Sequence, residues 1–148
     1  MKIARFEDIM AWQESRALVK SIYGLIGRSK NFQNDLRFRS QITNAAISVM
    51  SNIAEGFARK SNKEFKQFLF IAKGSISEVQ SQLYVAWDLG YIKEEEFQKA
   101  YAQLDKTARL ISGFITYLSK ANKLKNPLNP TNSMNPINST NSSTGGTQ

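Results

Sequence analysis

The chain has 148 residues, of which 41% are hydrophobic, and this is enough for one domain with a substantial core. It contains neither cysteine nor histidine, which excludes disulfides, zinc sites, histidine-based triads and Glu-x-x-His di-iron sites. Twenty lysines and arginines against twelve acidic residues give a net charge of +8. That balance favours an anionic partner such as nucleic acid, and the alternative is a charge that serves only solubility.

Composition also limits the location and the class of function. No apolar run is long enough to cross a membrane, and the first residues lack the pattern of a signal peptide, so we expect a cytoplasmic protein. General acid–base chemistry would fall to carboxylates, lysine or tyrosine, and no cluster of them indicates a site. We therefore predict that the protein is not an enzyme and has no catalytic residue, metal or cofactor.

Apolar residues at three- and four-residue spacing predict four long helices joined by short connections. The first covers about residues 8–28 and is followed by a loop around residues 27–34. Asn34 or Asp35 is then expected to cap the second helix. An antiparallel arrangement follows, because short connections leave consecutive helices side by side.

The second helix, residues 36–57, differs from the others because apolar residues cover more than half of its circumference. Its remaining stripe is polar but uncharged at the middle, where a surface helix usually carries lysines and glutamates. We infer that its own bundle encloses one side and a second copy of the chain encloses the other. The residues predicted to form this oligomer interface or a structural motif within it are Gln41, Asn44, Ser48, Asn52, Glu55 and Gly56.

Two of these residues have alternative roles at the end of the helix. Gly56 is expected to supply the positive φ that ends it. Glu55 is expected either to pair with Arg37 or Arg39 of a neighbouring copy or to bond to backbone N–H groups of the following turn. A structural cap is favoured over a ligand site.

The third helix begins at a capping box of Ser61 and Glu64 and runs to about Leu89. Beside its apolar face it carries a second face of aromatic and small residues. This second face either packs against a further helix or is an ordinary exposed surface. Its members are Phe70, Gly74, Ser77, Ser81 and Tyr84.

Gly90 suits the left-handed residue that ends a helix, and the acidic residues 94–96 open the fourth helix, where negative charge complements the helix dipole. An apolar heptad stripe continues to Leu118. The opposite face is basic and consists of Lys99, Lys106, Arg109 and Lys120.

The domain organisation follows from a change of composition at residue 126. Residues 1–125 are predicted to form an all-α, antiparallel up-down-up-down four-helix bundle. Residues 126–148 are rich in Asn, Ser, Thr and Pro and carry no charge, so we predict a disordered tail.

Several segments taken together resemble one known family. They are Phe6-Glu7-Asp8-Ile9, Ala11-Trp12-Gln13, Leu36-Arg37 with Gln41-Ile42, Ser48 with Asn52-Ile53-Ala54-Glu55-Gly56, Phe65, Phe68-Leu69, Ala72, Gly74-Ser75 and Gly90-Tyr91-Ile92. Over roughly residues 3–120, this pattern resembles the bacterial four-helix-bundle proteins encoded within intervening sequences of 23S ribosomal RNA genes. Trp12 and Gln13 are expected to serve packing rather than recognition.

The resemblance implies an up-down bundle that assembles as a ring, a homopentamer. It also implies kinship with the accessory variability protein of diversity-generating retroelements, a basic pentameric bundle that binds reverse transcriptase and nucleic acid. The family has no established catalytic residues, so none is carried over to this chain.

Basic residues at the two ends of the predicted bundle are the candidates for nucleic-acid binding. They are Arg59, Lys60, Lys63, Lys66 and Lys73 around the turn into the third helix, and Arg37 and Arg39 at the opposite end. No aromatic side chain interleaves them as a stacking platform, so sequence-specific recognition is not predicted. The alternative is a set of merely solvated charges.

Three hypotheses of function remain. The first is a ring-forming, non-enzymatic accessory protein that binds nucleic acid, either structured RNA or RNA and DNA. The second is an interaction scaffold that recruits a partner enzyme such as a reverse transcriptase without touching nucleic acid. The third, an enzyme that uses carboxylates or lysine, has no cluster of residues to support it.

Overall fold

The structure, a computed structural model, describes residues 3–125 of the backbone and the side chains of residues 3–122. The elements are a 3-10 helix at Phe6–Asp8, α1 at Met10–Gly27, α2 at Lys30–Asn34, α3 at Leu36–Ala58, α4 at Asn62–Asp88 and α5 at Glu94–Lys125. The all-α class is confirmed, and the four long helices begin and end close to their predicted bounds. The prediction for residues 126–148 lies outside the described residues.

The loop predicted around residues 27–34 is wrong in part, because it contains the short helix α2. The Ser29 side chain accepts a hydrogen bond from the Phe32 backbone N–H at 3.2 Å and caps this helix. Phe32 is fully buried and stacks against Phe38 with a ring-centroid distance of 5.4 Å. Burial of one aromatic ring therefore fixes a turn of helix that local spacing did not predict.

The four long helices form an antiparallel bundle in which α1 and α4 each pack against both α3 and α5. The antiparallel order is visible where α1 meets α5, because Arg28 near the end of α1 pairs with Glu96 at 3.0 Å. Glu14 near the start of α1 pairs with Lys106, further along α5, at 3.4 Å. The up-down-up-down bundle predicted from the sequence is thereby confirmed.

Each long helix contributes one stripe of aliphatic and aromatic side chains to a single core. The fully buried side chains include Leu18, Ile22, Ile42, Val49, Ile53, Leu69, Ile76, Val79, Leu83, Leu104 and Ile111. Burial of each such side chain contributes about 1.5–3 kcal/mol relative to its exposure to water. Across residues 3–125, no helix combines the length and the apolar character needed to cross a bilayer.

The predicted role of Gly56 at the end of α3 is wrong. Gly56 lies inside the helix and is buried, and the positive φ falls instead on Lys60, at 56°. A Cβ built on Gly56 would stand 2.7 Å from the Phe68 Cβ and 2.9 Å from the Phe65 Cδ1. Glycine is therefore required here by the close approach of α3 and α4, not by the backbone conformation of a turn.

Three further helix ends carry a cap predicted from the sequence: Asp35 is the capping residue of the two candidates, and Ser61 forms its half of the predicted capping box. The Asp35 side chain accepts from the Phe38 N–H at 3.2 Å and caps α3, and the Ser61 side chain accepts from the Glu64 N–H at 3.4 Å and caps α4. Gly90 has a φ of 73°, and the next N–H, of Tyr91, donates to the Ala86 carbonyl at 2.8 Å. These bonds form the glycine-terminated helix end predicted for α4.

Candidate oligomerisation and nucleic-acid surfaces

The predicted polar stripe of α3 forms one wall of an open groove against α4. The groove has a volume of about 430 Å³ and is lined by Gln41, Asn44 and Ser48 from α3 and by Glu78 and Gln82 from α4. The Gln82 side-chain oxygen is buried and has no hydrogen-bond partner in the described part of the chain. A buried acceptor of this kind is costly unless a donor from outside the protomer satisfies it.

The inner edge of this groove is held by hydroxyl and amide groups. The Ser48 and Ser75 hydroxyl oxygens lie 3.0 Å apart in a hydrogen bond that joins α3 to α4. The Asn52 amide nitrogen donates to the Ser48 carbonyl at 2.8 Å and to its hydroxyl at 2.9 Å. Ser48 and Asn52 are consequently half-buried, whereas Gln41 and Asn44 are exposed. The first two stabilise the helix pair, and the last two face solvent.

Glu55 makes a contact that the sequence analysis did not anticipate. Its carboxylate pairs with Arg59, one turn further along the chain, at 3.3 Å. Arg37 and Arg39 lie in the first turn of α3, about 25 Å away at a rise of about 1.5 Å per residue. Within the protomer, Glu55 therefore closes the last turn of its own helix. Gly56, the other residue of this motif, is buried inside the protomer against Phe65 and Phe68 of α4.

Exposed apolar side chains on α4 form a row that the polar residues of the groove interrupt. Ile71, Val85 and Leu89 are 53%, 42% and 54% exposed. Their spacing of fourteen and four residues places them on the same side of α4 as Glu78 and Gln82. The second face predicted on this helix is also exposed, with Phe70 at 58% and Tyr84 at 49%. α4 therefore presents more apolar surface to solvent than an isolated bundle requires.

The predicted basic residues lie at the two ends of the bundle, except for Lys73 towards the middle of α4, and they differ in how free their charges are. Arg59 pairs with Glu55 and its guanidinium lies 5.1 Å from the centre of the Phe68 ring, so its charge is partly offset within the protomer. Lys60 and Lys63 are exposed, while Lys66 and Lys73 are half-buried on α4. At the other end, the Arg39 side chain donates to the Gln33 carbonyl at 3.2 Å, and Arg37 is exposed.

The basic face of α5 also meets acidic residues in the structure. Lys99 lines a groove of about 560 Å³ with Lys20 and Arg28 of α1, but Glu95 and Glu96 line the same groove. Arg28 donates to the Glu96 carboxylate at 3.0 Å. Positive charge in this groove is therefore largely balanced, which weakens it as a site for phosphate.

Aromatic side chains beside the α3–α4 turn were missed as a functional feature. Phe57 and Tyr117 line a cleft of about 530 Å³ together with Lys60 and Asn62. No aromatic platform was predicted near the basic residues, because Tyr117 is far from Lys60 along the chain. A partial signal exists in the spacing of Phe114 and Tyr117, which extends an aromatic strip beyond the heptad stripe of α5.

Two ionisable groups near the opposite end of the bundle have shifted pKa values. A hydrogen bond from the Lys93 backbone N–H at 3.0 Å holds the pKa of Glu96 below its ordinary value; partial burial opposes this, and the bond from Arg28 supports it. The Tyr91 hydroxyl donates to Asp35 at 2.8 Å, and this bond, with some burial and the Asp35 charge, raises the pKa of Tyr91. The bond between Arg28 and Glu96 joins the end of α1 to the start of α5, and the bond between Tyr91 and Asp35 joins the end of α4 to the start of α3.

The described residues offer no group of three or more acidic side chains placed to hold a metal ion. The fold and its grooves define an all-α four-helix-bundle protein. Residues 7–113 match the family described as the 23S rRNA-intervening sequence protein, and the chain belongs to that family. The resemblance stated from the sequence motifs is thereby confirmed, while the kinship with the retroelement accessory protein stays a prediction.

A solved structure has the same fold. It is a protein of unknown function from the S23 ribosomal protein family of Bacteroides thetaiotaomicron, with a TM-score of 0.66 and 22% sequence identity. The likeness covers 72% of this chain and 98% of that one. None of the curated proteins matches the sequence.

Proposed function

We propose that this protein is a non-enzymatic accessory factor that assembles as a ring and binds nucleic acid, either structured RNA or RNA and DNA. The observation that carries the assembly is the exposed apolar row of α4, Ile71, Val85 and Leu89, beside a polar groove with an unpartnered buried oxygen. A second copy seated there would cover the apolar side chains and could donate a hydrogen bond to Gln82. The family resemblance makes a homopentamer the expected ring.

Charge supports the nucleic-acid part of the proposal. The net charge of +8 attracts a polyanion, and Lys60 and Lys63 are exposed beside the α3–α4 turn. A ring would repeat this turn in every copy and so multiply the number of phosphate contacts. Modest attraction by one protomer would then become useful affinity for the assembly.

The first experiment measures solution mass by light scattering, with and without a mixed RNA and DNA ligand, at two salt concentrations. We expect a ring-sized mass and ligand binding that weakens as salt rises, because phosphate contacts release counterions. A ring-sized mass without binding of RNA or DNA would contradict the nucleic-acid part of the proposal and favour the scaffold. A monomer would overturn the assembly.

A matched pair of variants tests which surface assembles. Ile71→Glu places a charge in the exposed row of α4 and is expected to reduce the mass to that of a smaller species. Leu36→Glu makes a similar change at a residue that is 66% exposed on α3, on the side of that helix turned away from the groove, and is expected to leave the mass unchanged. Equal effects of the two variants would contradict the assignment of the interface.

The scaffold hypothesis has its own support in the second exposed face of α4. Phe70 and Tyr84 flank the small residues Gly74, Ser77 and Ser81, a surface suited to a helix of a partner enzyme such as a reverse transcriptase. Charge reversal at Lys63 and Lys66 separates the two functions. If the charge-reversed variant loses both nucleic-acid binding and binding of the partner enzyme, the accessory factor is favoured. If binding of the partner enzyme is unchanged, the scaffold is favoured.

A further inference from the structure

We propose that the cleft beside the α3–α4 turn binds one unpaired nucleotide of a single-stranded nucleic-acid segment. This inference rests on the nucleic-acid binding proposed above and gives it a site. The cleft has a volume of about 530 Å³, and its walls come from the N-terminal segment, the end of α3, the start of α4 and the last turns of α5. It is separate from the α3–α4 groove proposed for assembly, with which it shares no lining residue.

One wall of the cleft is a continuous series of aromatic rings. Phe65 is buried at its base and lies 6.1 Å from Phe57 and 5.2 Å from Phe114, measured between ring centroids. Phe114 in turn lies 5.8 Å from Tyr117, which is 55% exposed. The series therefore ends in an exposed ring supported from behind by the core. Such a ring can stack on a nucleobase, whatever the identity of the base.

The charge of the cleft fits a phosphate attached to that base. Lys60 is the charged residue among the described side chains that line the cleft. In the groove between α1 and α5, by contrast, Glu95 and Glu96 offset the lysines and the arginine. Among the described residues that line it, the cleft thus pairs an aromatic face with an ammonium group and no carboxylate, which suits the base and the phosphate of a nucleotide.

Polar groups that line the cleft can contact the base edge. The Asn62 amide nitrogen donates to the Asn122 side-chain oxygen at 3.0 Å, which fixes Asn62 across α4 and α5. The Asn62 side chain keeps a second amide hydrogen and its own oxygen for other partners. Ser61 also lines the cleft. These groups suit a base whose hydrogen-bonding edge is open, as in a loop or a bulge of folded RNA.

The backbone conformation of Lys60 also supports a role for its side chain at the cleft. Its φ of 56° lies in the left-handed region, where glycine is favoured and a lysine is strained. Glycine at this position would end α3 at lower cost. Stability alone therefore does not account for a lysine here, whereas a cation needed at the cleft does.

The test measures the anisotropy of fluorescently labelled single-stranded oligonucleotides with the full-length protein. One probe carries bases, a second is an abasic strand of the same length, and a third is a blunt duplex. We expect the base-containing single strand to bind more tightly than the other two probes, because only it offers an unstacked base. Equal affinity for the base-containing and abasic strands would overturn the proposal.

Variants at Tyr117 separate stacking from charge. Tyr117→Leu keeps an apolar side chain beside Phe114 but removes the ring, and we expect affinity for the base-containing strand to fall by about 5- to 100-fold. Tyr117→Phe keeps the ring and should bind within about 2-fold of the original chain. If Tyr117→Leu binds the base-containing strand as tightly as the original chain does, the proposed nucleotide site is contradicted.

Lys60→Gly tests the phosphate contact without risk to the fold, because the backbone conformation at this position suits glycine. We expect weaker binding to every strand and a salt dependence reduced by about one phosphate contact. Lys93→Gly makes the same change of charge at the opposite end of the bundle, at a helix N-cap where glycine is tolerated, and should bind as the original chain does.

The outcomes distinguish the cleft from the broader proposal. Absence of binding to all probes overturns both. If binding is salt-sensitive but its affinity is the same in Tyr117→Leu and Lys60→Gly as in the original chain, the nucleotide site in the cleft is contradicted. Nucleic-acid binding elsewhere on the protein then stands. A fall in solution mass with Tyr117→Leu, without a change in affinity, assigns the cleft to a second copy of the chain and likewise overturns the proposal.

Discussion

Gly56 of α3 lies so close to Phe68 of α4 that a Cβ on residue 56 would stand 2.7 Å from the Phe68 Cβ. The two helices are joined by a short turn, and this close approach lies just before it. Neither atom can move easily, because the Phe68 Cβ is fixed to the backbone of α4 and Gly56 is buried. The glycine therefore sets the distance between the two helices that bear the proposed interface.

The first prediction concerns this contact. Gly56→Ala should lower the free energy of unfolding by about 1–3 kcal/mol, the usual cost of forcing an extra carbon into a packed site. Gly113→Ala is the matched control, since nothing lies within 4 Å of a Cβ built on that helical residue. The control should gain about 0.5–1 kcal/mol from helix propensity. Urea denaturation measures both, and equal changes in the two variants would contradict the contact.

The second prediction concerns the end of α3. Lys60→Gly should raise the free energy of unfolding by about 0.5–1 kcal/mol, because a left-handed φ is strained for lysine and not for glycine. Lys60→Ala removes the same charge but keeps a Cβ and should give no such gain. Thermal and urea denaturation of the original chain, Lys60→Gly and Lys60→Ala measure these free energies of unfolding. A stabilised Lys60→Ala would show that charge, not backbone strain, is responsible.

The third prediction concerns Asp35, which caps α3 and accepts the hydrogen bond of Tyr91. Asp35→Ala should lower the free energy of unfolding by about 1 kcal/mol through loss of the cap alone. Asp35→Asn keeps a good capping side chain but removes the charge that faces the phenol. In both variants the pKa of Tyr91 should fall towards its ordinary value, as measured by NMR titration. An unchanged Tyr91 pKa would contradict the hydrogen bond.

The fourth prediction is a dependence of stability on pH through Glu96. Its pKa in the folded state lies below the ordinary value of 4.5, so the folded state binds its proton more weakly than the unfolded chain does. Its contribution to stability is therefore fully present above pH 4.5 and is lost as the pH falls through the lowered pKa of the folded state.

Glu96→Gln provides the measurement. This variant should unfold more easily than the original chain at pH 7, and the difference should shrink as the pH falls below 4.5. Glu94→Gln, in the same first turn of α5, is the control, since Glu94 is exposed. A difference between Glu96→Gln and the original chain that stays constant from pH 7 to acid would contradict the prediction.

Local spacing predicted the helices and most of their caps because those features depend on neighbours within one turn. Ser61 and Gly90 were identified in this way, Asp35 was one of two candidate caps, and all three cap helix ends in the structure. The errors arose where tertiary contacts decide. Gly56 serves close packing across two helices, and α2 exists because Phe32 is buried, and neither fact is visible in a local pattern.

The candidate site was only partly predictable for the same reason. The sequence identified Lys60 by its charge but gave no indication that Tyr117, some sixty residues away, lines the same cleft. It placed Arg59 among the free basic residues, although Glu55 and Phe68 occupy that side chain in the folded protein. Charges can be counted along a chain, whereas their partners are known only after folding.

The order of helix contacts has a consequence for the speed and course of folding. α3 and α4 are consecutive and joined by a short turn, so their contact closes a small loop at little entropic cost. The contact of α1 with α5 joins residues that are distant along the chain, such as Arg28 and Glu96, which are 68 positions apart. We therefore expect the α3–α4 hairpin to form first and the seam between α1 and α5 to close last.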